Sequence, residues 1–337
     1  MKSKLSPAFA ASLALFAAVA WKSDPTVRLL FNNSPAAFNS TLTTYAQGYS
    51  TDIAAQSTAS FIAPWVVTGR ASGQFKRYDE KASFAVYKTD RGIGEGRQRI
   101  VFGADDPFFN CRPHGLEIPT DDFEKEQAGV TGDRFPLMQA KIRTLVAAAY
   151  RSREYNVWAR IKAAKAATGG IGTWSNASND PVKEINGEIQ GIANDTGMLP
   201  NRIVMSLSAW ATVLDHPKVL TRRSGVSQDG VSYSDFARML LNPQIQIKVG
   251  MIPYDTAARG LPTSKANIIG AEVFIFYAQD QPDTLDPSFA KSFSTFGRGV
   301  DEVKTYREKE LMEIAAVDWS EDVQVVSPLA GRRITIG

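Results

Sequence analysis

Hydrophobic side chains recur every three or four residues along one long stretch of the chain, from Asp133 to Thr168. Asp133 can cap the first turn of a helix there, Pro136 is tolerated in that turn, and Gly169 and Gly170 favour an end. The sequence therefore predicts an amphipathic helix of about 50 Å, several times the average length. The apolar positions of this stretch are Met138, Ile142, Leu145, Val146, Tyr150, Val157, Trp158 and Ile161.

Short helical stripes and short apolar runs alternate in the rest of the C-terminal half. Asp180 and Pro181 begin a predicted helix that carries a valine and isoleucine stripe and ends at Gly197. Two further short helices are predicted in SAWATVLDHP and SDFARMLL. Strands are predicted in PNRIVMSL, QIQIKVGMI, IIGAEVFIFYA, MEIAAVDW, DVQVV and RRITI. This succession of elements predicts a fold of the α+β class.

Two stretches that precede the long helix are predicted to extend from the body of the protein. Residues 22–60 are rich in Ser, Thr, Asn, Ala and Gln, and their hydrophobic residues follow no period. We interpret them as an extended arm that packs on other surfaces; a disordered linker is the alternative. Residues 84–102 predict a hairpin, because FAVY and RIVF flank the glycine-containing segment KTDRGIGEGRQ. No predicted helix follows Gly96, so a turn is favoured over a phosphate-binding loop.

The first twenty residues permit two interpretations. Two lysines, the apolar run 8–20 and a small-residue site before Trp21 are typical of a secretory signal peptide. Large apolar side chains, however, recur every three or four residues among alanines, which is typical of a short helix that packs on protein. The single cysteine, Cys111, allows no intramolecular disulfide and gives export no support. We favour an N-terminal helix whose docking face consists of Leu5, Phe9, Leu13 and Phe16.

The composition of the 337 residues is that of an ordinary globular protein, with 44% hydrophobic and 22% charged residues. The formal net charge is +3, from 38 basic and 35 acidic residues. This balance is too weak to indicate a dedicated nucleic-acid-binding protein, although it would suit a protein that lies near a polyanion. After residue 20 no apolar run approaches the length that spans a bilayer, so we predict no association with a membrane.

Candidate catalytic residues are few. The sequence lacks the G-x-S-x-G, C-x-x-C, H-E-x-x-H and Walker A motifs. The acidic stretch 121–124 could hold a divalent ion, but it has no second acidic cluster, so a solvated loop is favoured. His216 precedes a proline at a predicted helix end and is interpreted as a helix-terminal residue instead of a catalytic base. We therefore predict neither an enzyme nor a bound cofactor or metal.

The polar face of the long helix is strongly basic. Apart from the capping Asp133, Glu154 is its single acidic residue. Such a face is usually only solvated, but one on a helix this long could also lie against acidic protein or nucleic acid. The candidate residues of this face are Lys141, Arg143, Arg151, Arg153, Arg160 and Lys162.

The order of these parts resembles the fold of tailed-bacteriophage major capsid proteins, which the herpesvirus capsid floor domain and encapsulin shells share. That fold has an N-arm, a projecting extended loop, a long spine helix in a peripheral domain, and an axial domain. Short stretches are also similar to the family: DTGMLPNRIVMSLSAWATVLDHPKV at 195–219, Asp180-Pro181 before the preceding helix, and Asp286-Pro287-Ser288-Phe289 before the last strands. The resemblance extends over residues 60–337, and its motifs are structural, not catalytic.

The resemblance implies a division of the chain into five regions. They are an N-terminal helix and extended arm (1–60), an extended-loop hairpin with flanking strands (61–110), a peripheral domain that contains the spine helix at 133–168 (111–175), an axial domain (176–315), and C-terminal strands that return to the peripheral domain (316–337). In the extended loop, Lys88, Arg91, Arg97 and Arg99 become candidate contacts between subunits.

The implied function is that of a major capsid protein, which self-assembles through hexamers and pentamers into an icosahedral head shell around double-stranded DNA. The implied partners are other copies of the chain, scaffolding, portal and decoration proteins, and the packaged DNA, which is contacted without sequence readout. The implied location is the virion, after assembly in the host cytoplasm. An encapsulin-like nanocompartment shell is the nearest alternative, and an exported binding protein or hydrolase is a distant one.

Overall fold

The computed structural model describes most of the chain from residue 37 onward. The described residues are 37–38, 40–75, 77–78, 85–87, 89–94, 96–97, 99, 104–131, 134–223, 231–258, 260–295, 302–308 and 311–337. The predicted docking face of Leu5, Phe9, Leu13 and Phe16 lies outside the described residues, as does Lys88.

Helices and strands alternate along the described chain. The helices are α1 (Ser40–Gln56), α2 (Ala59–Ile62), α3 (Asp122–Thr131), α4 (Arg134–Ala164), α5 (Pro181–Thr196), α6 (Leu207–Asp215), α7 (Pro217–Arg223) and α8 (Tyr233–Arg238), with a 3₁₀ turn at Pro328–Ala330. The strands are β1 (Ala37–Phe38), β2 (Trp65–Val67), β3 (Ser72–Gln74), β4 (Arg77–Tyr78), β5 (Ala104–Asp105), β6 (Phe108–Asn110), β7 (Arg112–Asp121), β8 (Arg202–Ser206), β9 (Gln246–Gly250), β10 (Pro253–Asp255), β11 (Lys265–Asn267), β12 (Glu272–Phe276), β13 (Ala290–Ser294), β14 (Val303–Glu308), β15 (Met312–Val325) and β16 (Gly331–Thr335). The predicted α+β class is confirmed.

Two sheets form the framework of the fold. In the larger sheet the strand order is β1-β14-β15-β13-β2, and β7 also pairs with β15. The first part of the long strand β15 lies between β14 and β7, and its last residues pair with β13, so this strand connects the whole sheet. The second sheet has the order β16-β12-β8-β9, with β8 and β9 parallel. Strands β8 and β12 are buried along their whole length, as expected for central strands that are covered on both faces.

The long helix α4 packs against both sheets. It has 31 residues, about 46 Å of helix, and ends at Ala164, slightly before the predicted end at Thr168. Its first half packs on α1 and β15, and its second half packs on β12. The predicted apolar stripe is confirmed, because its residues are buried except for Met138 and Tyr150, which are half-buried.

Helix α5 covers the other face of the four-stranded sheet, and its ends are those that the sequence predicts. Asp180 caps the helix by accepting a hydrogen bond from the Lys183 amide at 3.3 Å, and Pro181 is its first residue. Gly197 ends it in the left-handed conformation, with φ of +69°. The buried residues of its stripe are Val182, Ile185, Ile189 and Ile192.

The predicted extended arm is wrong for residues 40–60, because residues 40–56 form helix α1 and residues 59 and 60 begin helix α2. Helix α1 packs on α4, and its buried side chains are Leu42, Thr43, Ala46 and Ser50. Thr43 Oγ1 donates a hydrogen bond to the carbonyl of Val303 at 3.2 Å, which fixes this face to β14. Most of the buried side chains are small or polar, so the helical face gives no hydrophobic period in the sequence. The formation of this helix therefore depends on its tertiary packing against α4 and β14.

The predicted pairing of FAVY with RIVF does not occur in the described residues. Residues 85–87 and 99 belong to no strand, and the other residues of both runs lie outside the described part. The antiparallel pairs lie nearer the base of the loop, where β3 pairs with β6 and β4 with β5. There Phe75 and Phe109 stack on Phe293, with ring centroids 5.4 and 4.6 Å apart. Aromatic packing stabilises strand pairing at the base of the loop.

The last predicted region, 316–337, is divided between the two sheets. Strand β15 lies in the larger sheet, but β16 pairs with β12 in the four-stranded sheet, with Ile334 opposite Val273. The prediction that all of residues 316–337 return to the peripheral domain is therefore wrong, because β16 lies in the four-stranded sheet. Ile334 is buried in the core beside α5, and burial of this side chain favours the second sheet.

We expect Gly172→Ala to lower the free energy of unfolding by about 3 kcal/mol. Gly172 has φ of +95°, and a β-carbon there would lie 2.1 Å from the carbonyl oxygen of Thr335. The substitution must therefore displace the end of β16. Gly187→Ala in α5 is the control, because its β-carbon would meet nothing within 4 Å and should stabilise the helix by about 0.5–1 kcal/mol. Equal thermal stability of Gly172→Ala and the wild type would contradict the prediction.

Candidate functional site

Helix α4 carries two adjacent buried charges at the point where it meets β15 and the turn between α1 and α2. The first is Arg153, whose Nε donates to the two carboxylate oxygens of Glu321 at 3.0 and 3.1 Å. Its Nη1 donates to Ser60 Oγ at 2.8 Å, and its guanidinium lies 4.2 Å from the ring centroid of Trp65. Only 1% of Arg153 is exposed. This buried ion pair therefore joins α4, α2, β2 and β15.

The second buried charge is Glu154, which holds the turn between α1 and α2. Its carboxylate accepts hydrogen bonds from the amides of Thr58 and Ala59 at 3.0 and 2.9 Å, and from Ser57 Oγ at 2.6 Å. Trp158 Nε1 donates to it at 3.0 Å, and Thr58 Oγ1 donates as well. Because these amides stand at the beginning of α2, the carboxylate also caps that short helix.

The predicted basic face of α4 is only partly a free surface. Arg151 and Arg160 are exposed. Arg143 is exposed too, but it donates to the hydroxyl of Tyr45 at 3.1 Å and lies over the ring of Tyr49, both on α1. Only these three arginines of the predicted face are therefore exposed, and Arg143 also contacts α1.

Three residues of the predicted face point into the protein, which corrects the sequence interpretation. Arg153 is buried, as described above. Lys141 pairs with Glu124 of α3, and Lys162 pairs with Glu272 of β12 at 3.2 Å. The physical reason is that α4 has packing partners on several sides, so long basic side chains run along apolar neighbours to reach carboxylates of other elements.

The described residues of the extended loop expose both charged and apolar side chains. Arg91, Arg97 and Arg99 are exposed, whereas Lys88 lies outside the described residues. Val86 and Ile93 are completely exposed, at 100% and 109% of their reference area. Aliphatic side chains therefore stand exposed beside charged ones in this part of the loop.

A further buried ion pair lies in the Asp286-Pro287-Ser288-Phe289 segment. Lys291 is completely buried and pairs with the carboxylate of Asp286. Its ammonium also donates to the carbonyls of Asp283 and Asp286 at 2.5 and 2.8 Å. Burial lowers the pKa of Lys291 below its usual range. The segment thus has a structural role, because the lysine holds its backbone in one conformation.

The sequence interpretation assigned no buried contact to Glu154, Glu321, Asp286 or Lys291. The partners of Glu154 and Glu321 are distant along the chain, whereas Lys291 pairs with Asp286 only five residues away. Only Glu154 offered a signal, since it is the single acidic residue of an otherwise basic helix face. A lone charge of the opposite sign on such a face is a candidate for an internal contact.

The two histidines and the acidic stretch 121–124 have structural positions. His114 stacks on Trp319, with ring centroids 5.4 Å apart, and His216 stands at the C-terminal cap of α6. The acidic stretch 121–124 is not a loop, because Asp121 ends β7 and Asp122 begins α3. Within the described ranges no three His, Cys, Asp or Glu side chains are grouped closely enough to hold a metal ion. Nor, in the same ranges, is any helix long and apolar enough to cross a bilayer.

We expect Cys111 to react slowly with thiol reagents in the folded protein. Only 6% of the residue is exposed, and burial raises the pKa of its thiol, so less thiolate is present at pH 8. Labelling with a chromogenic disulfide at this pH should be at least about tenfold slower in the native than in the denatured protein. Since Cys111 is the single cysteine, all signal reports on this site. Equal labelling rates in both states would contradict the expectation.

Comparisons with known proteins identify relatives of the chain by sequence and by fold. No protein-family model matches it. The chain is 26% identical over 270 residues to the major capsid protein of Burkholderia phage BcepMu, covering 77% of this chain and 84% of that protein. A phage-related protein from Bordetella bronchiseptica RB50 matches the structure with a TM-score of 0.65, at 20% identity, over 90% of this chain and 98% of the other. A proposed prophage capsid protein from Escherichia coli CFT073 matches with a TM-score of 0.50, at 11% identity, over 90% and 100% of the two chains.

Proposed function

We propose that this chain, which resembles the tailed-bacteriophage major capsid proteins in sequence and in fold, is a major capsid protein that builds an icosahedral head shell. The observation that carries the proposal is the sequence match to a phage major capsid protein over most of both chains, on a fold shared with phage-derived proteins. The long helix α4 and the separate four-stranded sheet support the proposal, since the fold of that family has a long spine helix and an axial domain.

The exposed surface of the chain fits a subunit that is completed by its neighbours. The aliphatic side chains of Val86 and Ile93 are fully exposed on the chain. Contacts with further copies would bury these side chains. Many individually weak contacts can then stabilise a closed shell through multivalency.

We assign the regions of the fold as follows. The larger sheet and the first half of α4 form the peripheral domain, and the four-stranded sheet with α5, α6 and α8 forms the axial domain. Residues 40–62 are the structured end of the N-arm, and the residues between β4 and β5 are the extended loop. The N-terminal face of Leu5, Phe9, Leu13 and Phe16 remains a proposed docking element of the arm.

The proposed partners are other copies of the chain in hexamers and pentamers, together with scaffolding, portal and decoration proteins. We place the protein in the virion, after assembly in the host cytoplasm. Arg151 and Arg160 are exposed and give α4 a positive side. If that side faces the interior, it would lessen the repulsion between the shell and packaged double-stranded DNA without reading its sequence. The role is structural, with no catalytic step.

An encapsulin-like shell is the alternative that shares the fold. The relative found by sequence is a phage capsid protein, which favours the phage shell. The content of the particles distinguishes the two, since a phage head encloses DNA and a nanocompartment encloses cargo protein.

The proposal is tested by expressing the chain with and without the neighbouring head genes and sizing the product by sedimentation and electron microscopy. Icosahedral particles or capsomer rings are expected. A chain that stays monomeric under all conditions would overturn the proposal. A monomer that has also lost residues 1–20, by mass spectrometry, would instead support the distant alternative of an exported protein.

We expect charge reversal in the extended loop, Arg97→Glu with Arg99→Glu, to lower the particle yield at least about tenfold. These exposed arginines are proposed to pair with acidic residues of a neighbouring subunit. Arg112→Glu, an exposed arginine on β7, is the control for charge alone. Particle yield is measured from the sedimenting fraction, and the monomer's thermal stability is measured in parallel. Unchanged yield in the double variant would refute the pairing.

A further inference from the structure

A cleft of about 270 Å³ opens beside the buried charges of α4. It lies where the end of α1, helix α2, strand β2 and the edge strand β9 approach α4. Its walls combine aromatic rings with cationic side chains. The residues that define it are Ser60, Phe61, Trp65, Arg153, Arg202 and Lys248.

Two of the three cations in the cleft already have a carboxylate partner within the chain. Arg153 pairs with Glu321, as described above. Arg202 pairs with Asp280 and donates to the carbonyl of Phe61 at 2.7 Å. Neither arginine therefore requires a further anion.

The third cation, Lys248, has no such partner. Its ammonium is 3.5 Å from the carbonyl of Ala54 and 5.9 Å from the ring centroid of Phe61, and it forms no ion pair with any residue that the structure describes. Burial lowers the pKa of Lys248, and the charge of Glu154 opposes this shift only in part. Glu154 itself is engaged by the donors of Ser57, Thr58, Ala59 and Trp158. A half-buried ammonium thus keeps donors available in a cleft with room for a small group.

We propose that this cleft binds a carboxylate side chain from a neighbouring copy of the chain, with Lys248 as its counterion. The inference rests on the proposed function, since only an assembly supplies the second copy. A carboxylate matches the single available ammonium in charge, and the rings of Phe61 and Trp65 can contact the methylene groups that carry it. A phosphate of DNA fits less well, because a nucleic-acid backbone needs an open, continuous row of cations, and both arginines here are already neutralised.

A purely internal role for Lys248 is the competing explanation. Its ammonium lies near a carbonyl in the last turn of α1, where a cation favours the helix dipole. That role predicts a loss of monomer stability on substitution, but no contact between copies. The experiment therefore has to report on contacts between copies directly.

The test is zero-length carbodiimide coupling in particles assembled from a mixture of unlabelled and nitrogen-15-labelled chains. The reagent joins a lysine ammonium to a carboxylate only where the two are in contact, with loss of one water. We expect a peptide that contains Lys248 to be coupled to an Asp or Glu peptide of the other isotopic label. Lys265, an exposed lysine on β11, serves as the control for random coupling.

Substitution gives the second readout. Lys248→Met should weaken each contact roughly fivefold, the upper range for a partly exposed ion pair, and lower the particle yield, whereas Lys248→Arg should retain it. Coupling of Lys248 only within one copy, or no coupling in intact particles, would overturn the inference and leave the proposed function standing. Lys248→Met particles that form normally but retain less DNA would also overturn the inference and leave the proposed function standing. That result would mean that the cleft binds phosphate. A chain that never assembles would overturn both.

Discussion

Replacing Glu154 with alanine is expected to lower the free energy of unfolding by about 4 kcal/mol, near the upper limit for a single substitution. The carboxylate is 1% exposed and accepts hydrogen bonds from Ser57, Thr58, Ala59 and Trp158. Its removal leaves the buried amides without an acceptor, and each such group costs about 1–3 kcal/mol. Helix α2 loses its cap at the same time.

The measurement is chemical denaturation of the unassembled chain, followed by tryptophan fluorescence. Glu154→Gln should lower the free energy of unfolding by about half as much as the alanine substitution. The glutamine amide keeps one acceptor oxygen, but its NH₂ group faces donors that the second carboxylate oxygen had accepted from. Glu126→Gln, at an exposed position of α3, is the matched control and should change stability by less than about 0.5 kcal/mol. An alanine variant within about 1 kcal/mol of the wild type would show that water replaces the carboxylate.

Substitution of Glu154 should also change the amide hydrogen exchange of residues 40–62. Because Glu154 holds residues 57–59, its loss is expected to loosen the turn that fixes α1 on α4. Amide hydrogen exchange in residues 40–62 should then accelerate more than exchange in β8 and β12, because the hydrogen bonds of the carboxylate come from residues 57–59 and Trp158. Uniform acceleration across the chain would instead indicate global destabilisation.

The second large effect is expected at the buried ion pair of Arg153 and Glu321. Arg153→Met should lower the free energy of unfolding by about 3–5 kcal/mol, because it leaves the Glu321 carboxylate buried without its cation. Glu321→Leu should lower the free energy of unfolding by a similar amount, because it leaves the Arg153 guanidinium buried without its carboxylate partner. Ser292 Oγ also donates to Glu321, so the carboxylate variant loses this contact as well.

The double variant separates the ion pair from simple loss of packing. When both charges are replaced, no uncompensated charge remains, so the total cost should be smaller than the sum of the single costs by at least about 2 kcal/mol. The exposed pair of Lys304 and Asp318, whose side chains are 22% and 53% exposed, is the control, with an expected coupling below about 1 kcal/mol. Additive costs at Arg153 and Glu321 would mean that the two charges do not stabilise each other.

These buried charges explain why the basic face of α4 was predicted too broadly. Periodicity along the helix identifies its apolar stripe, but it assigns every residue outside that stripe to solvent. Helix α4 is covered by α1, by both sheets and by α3, so less of its polar side reaches solvent than the pattern indicates. The lengths of arginine and lysine then allow them to reach carboxylates on β15, β12 and α3.

Elements whose signals are local could be predicted from the sequence alone. The apolar stripes of α4 and α5, the cap at Asp180, the terminating Gly197 and the continuous apolar runs of β8 and β12 all occur as predicted. Hydrophobic periodicity and capping depend on neighbours within a few residues, so one sequence is sufficient to detect them.

Features that join distant residues could not be predicted in this way, because they form only in the folded chain. The helix α1, the division of the C-terminus between two sheets and the burial of Arg153 and Glu154 are examples. Their contacts link residues 97, 168 and 260 positions apart, as between Glu154 and Ser57, Arg153 and Glu321, and Thr43 and Val303. A polar or small side chain carries no local mark of such a partner, because its burial becomes favourable only once folding has brought the partner into contact.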